Sequence, residues 1–430
     1  MRNSYTYKID STQTFINKLV AKSKITNHIS VLLSNQEDKE KDFPKEYVNY
    51  DLIAGVEKLA EIKSNENSFQ ELRKFHNQYP DWMFGYLSYD LKNEKEELVS
   101  ENQDGIKADN ISFFVPKFVF LLKGNDLEIL TFQLKDKVDM FLRSLSPLKF
   151  QKRHPILLEQ KENKHEYLNK ISKIKQHIQR GDIYEMNYCL EYFSNDALLN
   201  AEGLFLNLNN ISKTPFAAFL HINEHYVLCA SPERFLRKKQ NYVISQPIKG
   251  TIRRGSNINE DKKLIDDLKN SQKDISENVM ITDLVRNDLS ITAKRSSVNV
   301  DEFCKVYTFE KIHQMISTIS SQINKNVHFT DLLESVFPMG SMTGAPKLKA
   351  MELIEQYEQF KRGLFSGAIG YITPEGDFDF NVIIRTILYN ANTKYLSVGV
   401  GGAITIKSDE QKEYEECLLK IRPILEALNQ

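Results

Sequence analysis

Short apolar runs bounded by polar residues recur along this chain, and the helical segments between them follow no regular strand-helix repeat. In the first third, such runs occur at residues 31–33, 82–89 and 113–120, where branched and aromatic side chains are typical of strands. A parallel sheet built from strand-helix-strand units would require the regular repeat. The pattern therefore predicts an α+β fold.

The clearest helix signal lies just after residue 160. Apolar side chains recur there at helical spacing, and a glycine that can end a helix follows them. The apolar positions are Tyr167, Leu168, Ile171, Ile174 and Ile178, and the glycine is Gly181. A strand over residues 183–193 is expected next.

At 430 residues, the chain exceeds the usual size of a single domain. Its pattern breaks at the Ser-Pro pair 146–147 and at the His-Pro pair 154–155, which indicates a boundary. We therefore expect an N-terminal region over residues 1–150 and a second region over residues 160–428. Two stretches of mixed charge, 36–46 and 92–109, are expected to be solvated loops.

The charge balance restricts the possible partners. The 57 basic and 58 acidic residues leave a net charge of -1, which predicts binding neither to nucleic acid nor to an anionic membrane surface. The N-terminus lacks an apolar signal core, and no apolar stretch approaches the roughly 18 residues of a membrane helix. The cysteines show no CxxC spacing. We therefore expect a cytoplasmic protein with reduced cysteines at Cys189, Cys229, Cys304 and Cys417.

From Ser231 onward, seven segments combine polar, charged and glycine residues between apolar strands, which is unusual for a core. They are residues 231–235 (Ser-Pro-Glu-Arg-Phe), 247–251 (Pro-Ile-Lys-Gly-Thr), 276–288, 343–347 (Thr-Gly-Ala-Pro-Lys), 380–386, 399–403 and 413–416.

Acidic pairs at helical spacing occur in two places. Asp274 and Glu277 are three residues apart in a predicted helix, as are Glu413 and Glu416, so each pair projects from one helix face. The first helix is predicted to have its apolar stripe at Leu264, Leu268, Ile275 and Val279. Two such faces brought together would hold a hard divalent cation such as Mg2+, whereas the lack of a His or Cys cluster argues against zinc. Solvated helix surface is the alternative interpretation of each pair.

Other segments are suited to anions. Residues 343–346 are typical of a helix start, where free backbone N–H groups favour a carboxylate, with an ordinary cap as the alternative. Residues 399–402 follow a predicted strand and allow close approach of a ligand, although a tight turn explains them equally well. Arg385, in a predicted apolar strand, requires a bound carboxylate or a structural ion pair. Lys420 shares a helix face with the second acidic pair, and Pro423 should kink or end that helix.

Taken in this order, the seven segments resemble the chorismate-binding enzyme family. Its members include component I of anthranilate synthase, component I of aminodeoxychorismate synthase, isochorismate synthases and salicylate synthases. The match covers residues 160–428, and residues 85–90 look like the N-terminal region of the amino-transferring members. The resemblance implies an antiparallel β-sandwich core wrapped by helices, with one active site for chorismate and Mg2+.

The resemblance also implies roles for individual residues. Glu277 and Glu416 match metal-binding glutamates, with the metal bridging to the ring carboxylate of chorismate. Asp274 and Glu413 match acidic positions that bind the metal through water. His313 matches a histidine near the reacting ring, although a lone histidine is usually structural. Substrate contacts are implied for a further set, namely Thr251, Thr343, Gly344, Arg385, Gly401, Gly402 and Lys420.

The residue at position 249 separates the members of the family. Anthranilate synthases carry alanine there, whereas Lys249 resembles the enzymes that aminate chorismate at C4, in which a lysine is the nucleophile. Glu233, sixteen residues earlier, matches their partner carboxylate. Isochorismate and salicylate synthases use another lysine, at the position of Glu185, and its absence argues against both. The implied product is 4-amino-4-deoxychorismate, for 4-aminobenzoate and folate.

The implied reaction consists of two displacements. Lys249 attacks C2 of chorismate while the C4 hydroxyl leaves, with Glu233 as general acid, and ammonia then attacks C4 and expels the lysine. Burial or the nearby metal is expected to lower the pKa of Lys249, because only the neutral amine attacks. No Gly-x-Cys-x-Gly segment is present, so we expect ammonia from a separate glutamine amidotransferase subunit. The alternatives are anthranilate synthesis and a chorismate- or tryptophan-binding protein without catalysis.

Three positions depart from the family pattern. Phe365 stands where tyrosine is frequent, Ala403 replaces a frequent glycine, and Glu185 occupies a position that is usually glutamine in the amino-transferring members. The first two changes are mild. An extra carboxylate at Glu185 would repel a dianionic substrate unless it is protonated or paired.

Overall fold

The structure, a computed structural model, describes residues 1–35, 50–96, 98–148 and 155–429. The charged stretch 36–46 lies outside these ranges, as do residues 149–154 of the predicted boundary.

Twenty strands and eleven helices are found in these described ranges. The strands are β1 (Asn3–Lys8), β2 (His28–Leu33), β3 (Leu52–Ser64), β4 (Met83–Leu87), β5 (Ile111–Lys123), β6 (Asp126–Thr131), β7 (Glu159–Gln160), β8 (Glu185–Ser194), β9 (Phe216–Ile222), β10 (His225–Ser231), β11 (Arg234–Lys239), β12 (Tyr242–Gln246), β13 (Ile248–Arg253), β14 (Asn299–Thr308), β15 (Ile312–Gln322), β16 (Gly344–Ala345), β17 (Ala368–Ile372), β18 (Phe378–Val382), β19 (Thr386–Asn390) and β20 (Tyr395–Ile404). The helices are α1 (Thr12–Ala21), α2 (Ser68–Gln78), α3 (Lys92–Glu96), α4 (Lys135–Ser144), α5 (Lys164–Arg180), α6 (Ala201–Ser212), α7 (Ile258–Lys269), α8 (Gln272–Ser290), α9 (Phe329–Val336), α10 (Lys347–Tyr357) and α11 (Glu410–Asn429).

The strands pair antiparallel throughout and join into one continuous sheet with two halves. Strand β5 lies at the junction, because its start pairs with β4 and its end pairs with β6. One half runs in the order β6-β5-β3-β2-β9-β10-β19-β20-β8. The other runs β4-β17-β18-β11-β12-β15, and β13 and β14 both pair with β15. The α+β class and the antiparallel sandwich wrapped by helices are thus confirmed.

Strands of the N-terminal third pair directly with later strands. Strand β2 pairs with β9 and strand β4 pairs with β17, in registers that place Val31 opposite Phe219 and Tyr86 opposite Ile369. The two predicted regions therefore share backbone hydrogen bonds. Their division near residue 150 stays a prediction.

Two hydrophobic cores lie on opposite faces of the strands. Neighbouring residues alternate between them, since Phe219 packs in one core and Leu220 in the other. Helices α1, α4, α5, α6, α10 and α11 cover the first core. Helices α2, α8 and α9 contribute to the second. No helix in the described ranges is both long enough and apolar enough to cross a membrane.

The predicted helix after residue 160 is confirmed as α5. Asn163 and Glu166 form a reciprocal capping box at its start, and Gly181 ends it in the left-handed conformation, with φ of 83°. Strand β8 follows close to where it was predicted. Helix α11 also forms, and it continues through Pro423 instead of ending there.

Asp274 and Glu277 share one helix, as predicted, but that helix is α8, whereas Leu264 and Leu268 of the predicted stripe lie on a separate helix, α7. Helical structure is interrupted at Asn270 and Ser271. The Ser271 hydroxyl caps the next helix, α8, by accepting a hydrogen bond from the Asp274 N–H. The predicted apolar stripe is therefore wrong, and its last residue, Val279, is 41% exposed. The side of α8 that is buried instead carries Ile281, Val285 and Leu289.

Three local predictions around the glycine and arginine segments are also wrong. Residues 399–402 lie inside β20 and form no turn, and the ring of Phe365 lies where a side chain at Gly399 would be. Arg385 falls between β18 and β19, with φ of 53°. Pro346 was expected at the first helical position, where proline is favoured, but it precedes the first residue of α10. The three errors share one cause, because apolar patterning predicts the type of an element better than the residues at which it begins and ends.

The stretch 92–109, predicted as a solvated loop, begins with helix α3 and is partly buried. Lys92 is 1% exposed, and its ammonium group donates to the side chains of Asn93 and Ser100. Mixed charge thus gave a wrong expectation here, because local hydrogen bonds compensate the burial of the lysine.

Phe84 offers a test of the packing that joins β4 to the rest of the sheet. It is fully buried, and its ring lies 6.2 Å from that of Tyr371 and occupies the space beside Gly55. We expect Phe84→Ala to lower the free energy of unfolding in denaturant by about 3–5 kcal/mol, because it leaves a cavity. The matched control is Phe303→Ala, at a ring 52% exposed, with an expected change below about 0.5 kcal/mol. Equal effects of the two substitutions would contradict this account.

Candidate active site

Lys249 projects from a β-bulge in β13. Residues Ile248 and Thr251 pair with Ile316 and Gln314 of β15, so three steps on one strand match two on the other. Gly250 supplies the positive φ of 91° that such a bulge requires. Bulges re-aim side chains next to active sites, and this one turns Lys249 into the protein, where it is 7% exposed.

The Lys249 ammonium group donates to Glu185 Oε1 at 3.1 Å. Burial lowers the pKa of Lys249, but attraction to Glu185 and Glu277 and the hydrogen bond to Glu185 outweigh it, so the pKa is raised. The prediction of a lowered pKa is therefore wrong for this structure. Glu185, the departure from the family pattern, is paired, and its second oxygen has no hydrogen-bond partner among the described residues.

Glu233 is a third carboxylate that acts electrostatically on Lys249, after Glu185 and Glu277. It lies just before β11, is 5% exposed, and lines a small cavity of about 20 Å³ together with Ser341. Burial raises the pKa of Glu233 to about 7, against the opposing effects of Ser341 and Lys249. A carboxyl group with such a pKa can hold a proton near neutral pH and give it up to a leaving group.

Asn278 positions the lysine, and sequence reasoning gave it no role. It is fully buried on α8, and its amide donates to the backbone oxygens of Lys249 and Met315 at 3.5 and 3.4 Å. Its oxygen accepts from Ser317 at 2.5 Å. The side chain thus ties α8 to β13 and β15. The available sequence signal was an asparagine directly after a metal-matching glutamate.

Three of the four predicted metal-binding residues come together. Glu277 of α8 and Glu413 and Glu416 of α11, hereafter the acid cluster, surround the Lys273 ammonium group at 3.9, 2.9 and 3.7 Å. Glu413 is 2% exposed. The side chain of Asp274 packs against Gly250, where an added Cβ would lie 3.0 Å from Asp274 Cβ.

Burial raises the pKa of Glu277 to about 7, although Lys249 and Lys273 act to lower it. Lys420 holds the pKa of Glu416 down, to about 2. Neighbouring members of one cluster therefore differ in their preference for a proton. A further cation would stabilise the charged form of the buried Glu277.

Lys420 and the glycines of β20 complete this side of the site. The Lys420 ammonium group donates to the Gly401 carbonyl oxygen and pairs with Glu416 Oε1, each at 2.7 Å. A Cβ at Gly402 would lie 3.4 Å from Lys420 Nζ and 3.5 Å from Glu413 Oε2. The glycine therefore keeps a space open beneath these charged groups.

These residues fit a hard divalent cation in donor type. Carboxylate oxygens suit Mg2+, and Glu277 Oε1 is buried without a hydrogen-bond partner in the described residues. Across the described ranges, no three His, Cys, Asp or Glu side chains are already arranged around a metal position. Instead, Lys273 lies among the acid cluster, so a metal there requires this side chain to move.

Arg385 and Lys420 line a cavity of about 100 Å³ with Pro232, Lys311 and Ile312. Burial lowers the pKa of Arg385, while Glu416 acts to raise it. Its guanidinium group makes no hydrogen bond or ion pair within 4 Å in the described part of the chain, so no structural ion pair accounts for it. A cavity lined by such cations is suited to a carboxylate ligand.

Residues 343–344 form part of the wall below Glu185. Strand β16 places Gly344 against β8, where an added Cβ would lie 2.2 Å from the Glu185 carbonyl oxygen. Thr343 is fully buried, and its hydroxyl donates within its own turn, to the carbonyl oxygens of Met339 and Gly340. The segment therefore sets the position of Glu185, and its role in substrate binding stays a prediction.

His313 and Thr251 have partners apart from the acid cluster. His313 is fully buried, with its ring nitrogens 3.0 Å from Thr308 Oγ1 and 2.9 Å from Asp261 Oδ1. Thr251 is exposed on β13 and accepts from Gln314 at 3.4 Å. The catalytic role of His313 and the substrate contact of Thr251 stay predictions.

Comparisons with known proteins agree with the family resemblance of the sequence segments that form this site. The family described as chorismate binding enzyme matches residues 24–426. The Arabidopsis thaliana protein named aminodeoxychorismate synthase, chloroplastic, is 32% identical over 431 residues, which are 93% of this chain and 45% of that protein. The chain thus spans about half the length of this relative. Aminodeoxychorismate synthase component 1 of Bacillus subtilis is 28% identical, over 87% of this chain and 88% of that protein.

Among solved structures, anthranilate synthase component I from Streptococcus pneumoniae aligns with a TM-score of 0.77. The alignment covers 90% of this chain and 95% of that chain, at 23% identity. At this identity the likeness shows the fold, which is the same sandwich.

The raised pKa of Glu233 predicts a pH-dependent stability. The folded protein keeps this carboxyl protonated up to about pH 7, whereas the unfolded chain releases the proton near 4.5, so wild-type stability falls as pH rises between these values. Glu233→Gln lacks this loss. In denaturant unfolding from pH 4.5 to 8, the variant should gain up to about 3 kcal/mol relative to wild type.

Glu334→Gln, at an exposed glutamate of α9, is the matched control and should track the wild type at every pH. A constant difference between Glu233→Gln and wild type across the range would contradict the raised pKa.

Proposed function

Since the chain belongs to the chorismate-binding enzyme family, we propose that it acts as component I of aminodeoxychorismate synthase and aminates chorismate at C4. The product would be 4-amino-4-deoxychorismate, the precursor of 4-aminobenzoate in folate synthesis. The names of the relatives support this assignment. The free state of all four cysteines is in keeping with a cytoplasmic setting.

One observation carries this choice among the reactions of the family. A buried lysine, Lys249, is aimed by a β-bulge at the acidic side of the site, where it contacts Glu185 and has Glu233 within electrostatic reach. A nucleophilic lysine needs this kind of enclosed position, because its pKa responds strongly to burial and to neighbouring charge. An alanine at position 249 would leave the site without a nucleophile.

The first step is the transfer of a proton from Lys249. Glu185 Oε1, at 3.1 Å, is the carboxylate oxygen within hydrogen-bond distance of Nζ in the described residues, and it accepts along the existing hydrogen bond. The free amine then forms a bond to C2 of chorismate. The ring double bonds shift, the C4–O bond breaks, and the Glu233 carboxyl gives its proton to the departing hydroxyl, which leaves as water.

The second step reverses the first with a new nucleophile. Ammonia bonds to C4 and passes a proton to the Glu233 carboxylate, the ring double bonds return, and the C2–N bond to Lys249 breaks. Glu185 then returns its proton to the amine, so both carboxyl groups and the lysine are regenerated. We assign the ammonia to a separate glutamine amidotransferase subunit, because a protein named component 1 implies a partner. Enclosure of Lys249 and Glu233 keeps water from competing with ammonia at C4.

We assign substrate binding to the cavity that Arg385 and Lys420 line. Arg385 and Lys420 would each hold a carboxylate group of chorismate through charge-assisted hydrogen bonds. Glu277, Glu413 and Glu416 would hold Mg2+, whereas Asp274 packs against Gly250 and its part in metal binding stays a prediction. The metal would neutralise the acid cluster and the ring carboxylate together, which permits a dianion to lie beside so many carboxylates.

Identification of the product tests this function most simply. The purified protein, incubated with chorismate, Mg2+ and ammonium, should form 4-amino-4-deoxychorismate, detected as 4-aminobenzoate after addition of a lyase. Omission of ammonium is the control and should abolish the product. Anthranilate in place of 4-aminobenzoate would overturn the assignment. No product of either kind would favour a protein that binds chorismate without turning it over.

Glu233→Gln should reduce the rate of amination by about 10²- to 10⁴-fold, because it removes the acid that protonates the leaving hydroxyl. Glu334→Gln should retain wild-type activity. The unfolding measurements on the same two variants establish that the loss comes from chemistry and not from misfolding. Near wild-type activity of Glu233→Gln would remove this carboxyl from the mechanism.

A further inference from the structure

Lys273 has no role in the proposed reaction, yet it lies at the centre of the acid cluster. Its ammonium group donates to Glu413 Oε1 at 2.9 Å and lies within 4 Å of Glu277 and Glu416. The lysine comes from the first turn of α8, four residues before Glu277. One side chain thus bridges both helices that supply the glutamates.

The cluster requires a cation in order to form. Glu277 and Glu413 are 7% and 2% exposed, and buried carboxylates that face each other repel unless a positive charge lies between them. Lys420 neutralises Glu416 from the side of β20. For Glu277 and Glu413, Lys273 is the cation within 4 Å among the described residues.

The contacts of Lys273 do not satisfy the cluster completely. Glu277 Oε1 is 3.9 Å from the ammonium group, beyond hydrogen-bond distance, and has no other partner among the described residues. The lysine side chain is itself 40% exposed, so solvent can receive it without further rearrangement of the core. The position therefore combines a buried acceptor that makes no hydrogen bond, Glu277 Oε1, with a cation, Lys273, whose side chain can move into solvent.

We propose that Lys273 is a tethered counter-ion that a divalent cation displaces when it binds to the acid cluster. The inference rests on the Mg2+ site of the proposed function and extends it to a residue outside the metal ligands. In the absence of the metal, the ammonium group keeps the two helices and their glutamates together. On metal binding, the side chain moves outward into solvent.

Charge and geometry both favour the exchange. An ammonium group carries one charge and points three donors at its neighbours, whereas Mg2+ carries two charges and takes six oxygens in octahedral geometry. The divalent cation can therefore bind Glu277 Oε1, to which Lys273 makes no hydrogen bond, and still accept oxygens of a bound carboxylate. A lysine offers no such open positions, so it can hold the site together without replacing the metal in substrate binding.

Two measurements test the displacement. In wild-type protein, a limiting amine-acylating reagent followed by peptide mass spectrometry should label Lys273 several-fold faster with Mg2+ than without it, because the ion pair is broken. Lys394, which is paired with Asp196 on the surface, is the internal control and should not change. Titration calorimetry with Mg2+ alone should give about tenfold tighter binding to Lys273→Met, which no longer competes.

Thermal unfolding distinguishes displacement from a permanent ion pair. Without Mg2+, Lys273→Met should melt below wild type, and at saturating Mg2+ the two melting temperatures should converge. Lys394→Met should match wild type in its response to Mg2+. A deficit that persists at saturating Mg2+, or unchanged labelling of Lys273, would overturn the displacement while leaving the metal site intact.

Absence of Mg2+ binding to both proteins would overturn the displacement and the Mg2+ site together. Formation of the aminated product is measured separately, so that outcome leaves the proposed reaction to be decided by its own assay.

Discussion

The ion pair between Lys249 and Glu185 is the interaction on which the arrangement of this site depends. Both groups are buried, and a buried ammonium group is tolerated only where carboxylates compensate its lost hydration. The bulge at Gly250 aims the lysine, Asn278 holds its backbone, and β16 fixes the strand that carries Glu185. Three separate parts of the chain thus position this ion pair.

In the rest of the site, ammonium groups likewise lie beside carboxylates that compensate their charge. Lys273 and Lys420 each face members of the acid cluster, and Arg385 remains without a partner within 4 Å among the described residues beside its cavity. These opposite charges offset one another within the site. Under the proposed function, a dianionic substrate would enter together with a divalent cation of opposite charge, which keeps the electrostatic cost of binding low.

Much of this arrangement could be predicted from sequence, for physical reasons that differ by residue. Helical periodicity and a glycine stop fixed α5, because both signals are local. The spacing of Glu413, Glu416 and Lys420 placed them on one face of α11. Patterning could not foresee the break at Ser271, because the capping serine is one polar residue in a sequence that otherwise has helical spacing on both sides.

Contacts between distant segments were beyond prediction. Nothing local to Glu185 indicates that it pairs with a lysine 64 positions later, or that the pair raises the lysine pKa. The positive φ of Arg385 likewise comes from the junction of two strands. Lys273 could have been noticed from its i,i+4 spacing to Glu277, but that spacing is common on helix surfaces and indicated no site.

Intact-protein mass spectrometry after acid quench tests the central claim most directly, namely that Lys249 is a nucleophile. The protein is incubated with chorismate and Mg2+ but no ammonium, so that the second displacement is blocked. The account predicts a mass gain equal to chorismate less one water, located by peptide mapping on Lys249. No mass gain, or a gain on another residue that survives in Lys249→Ala, would contradict it.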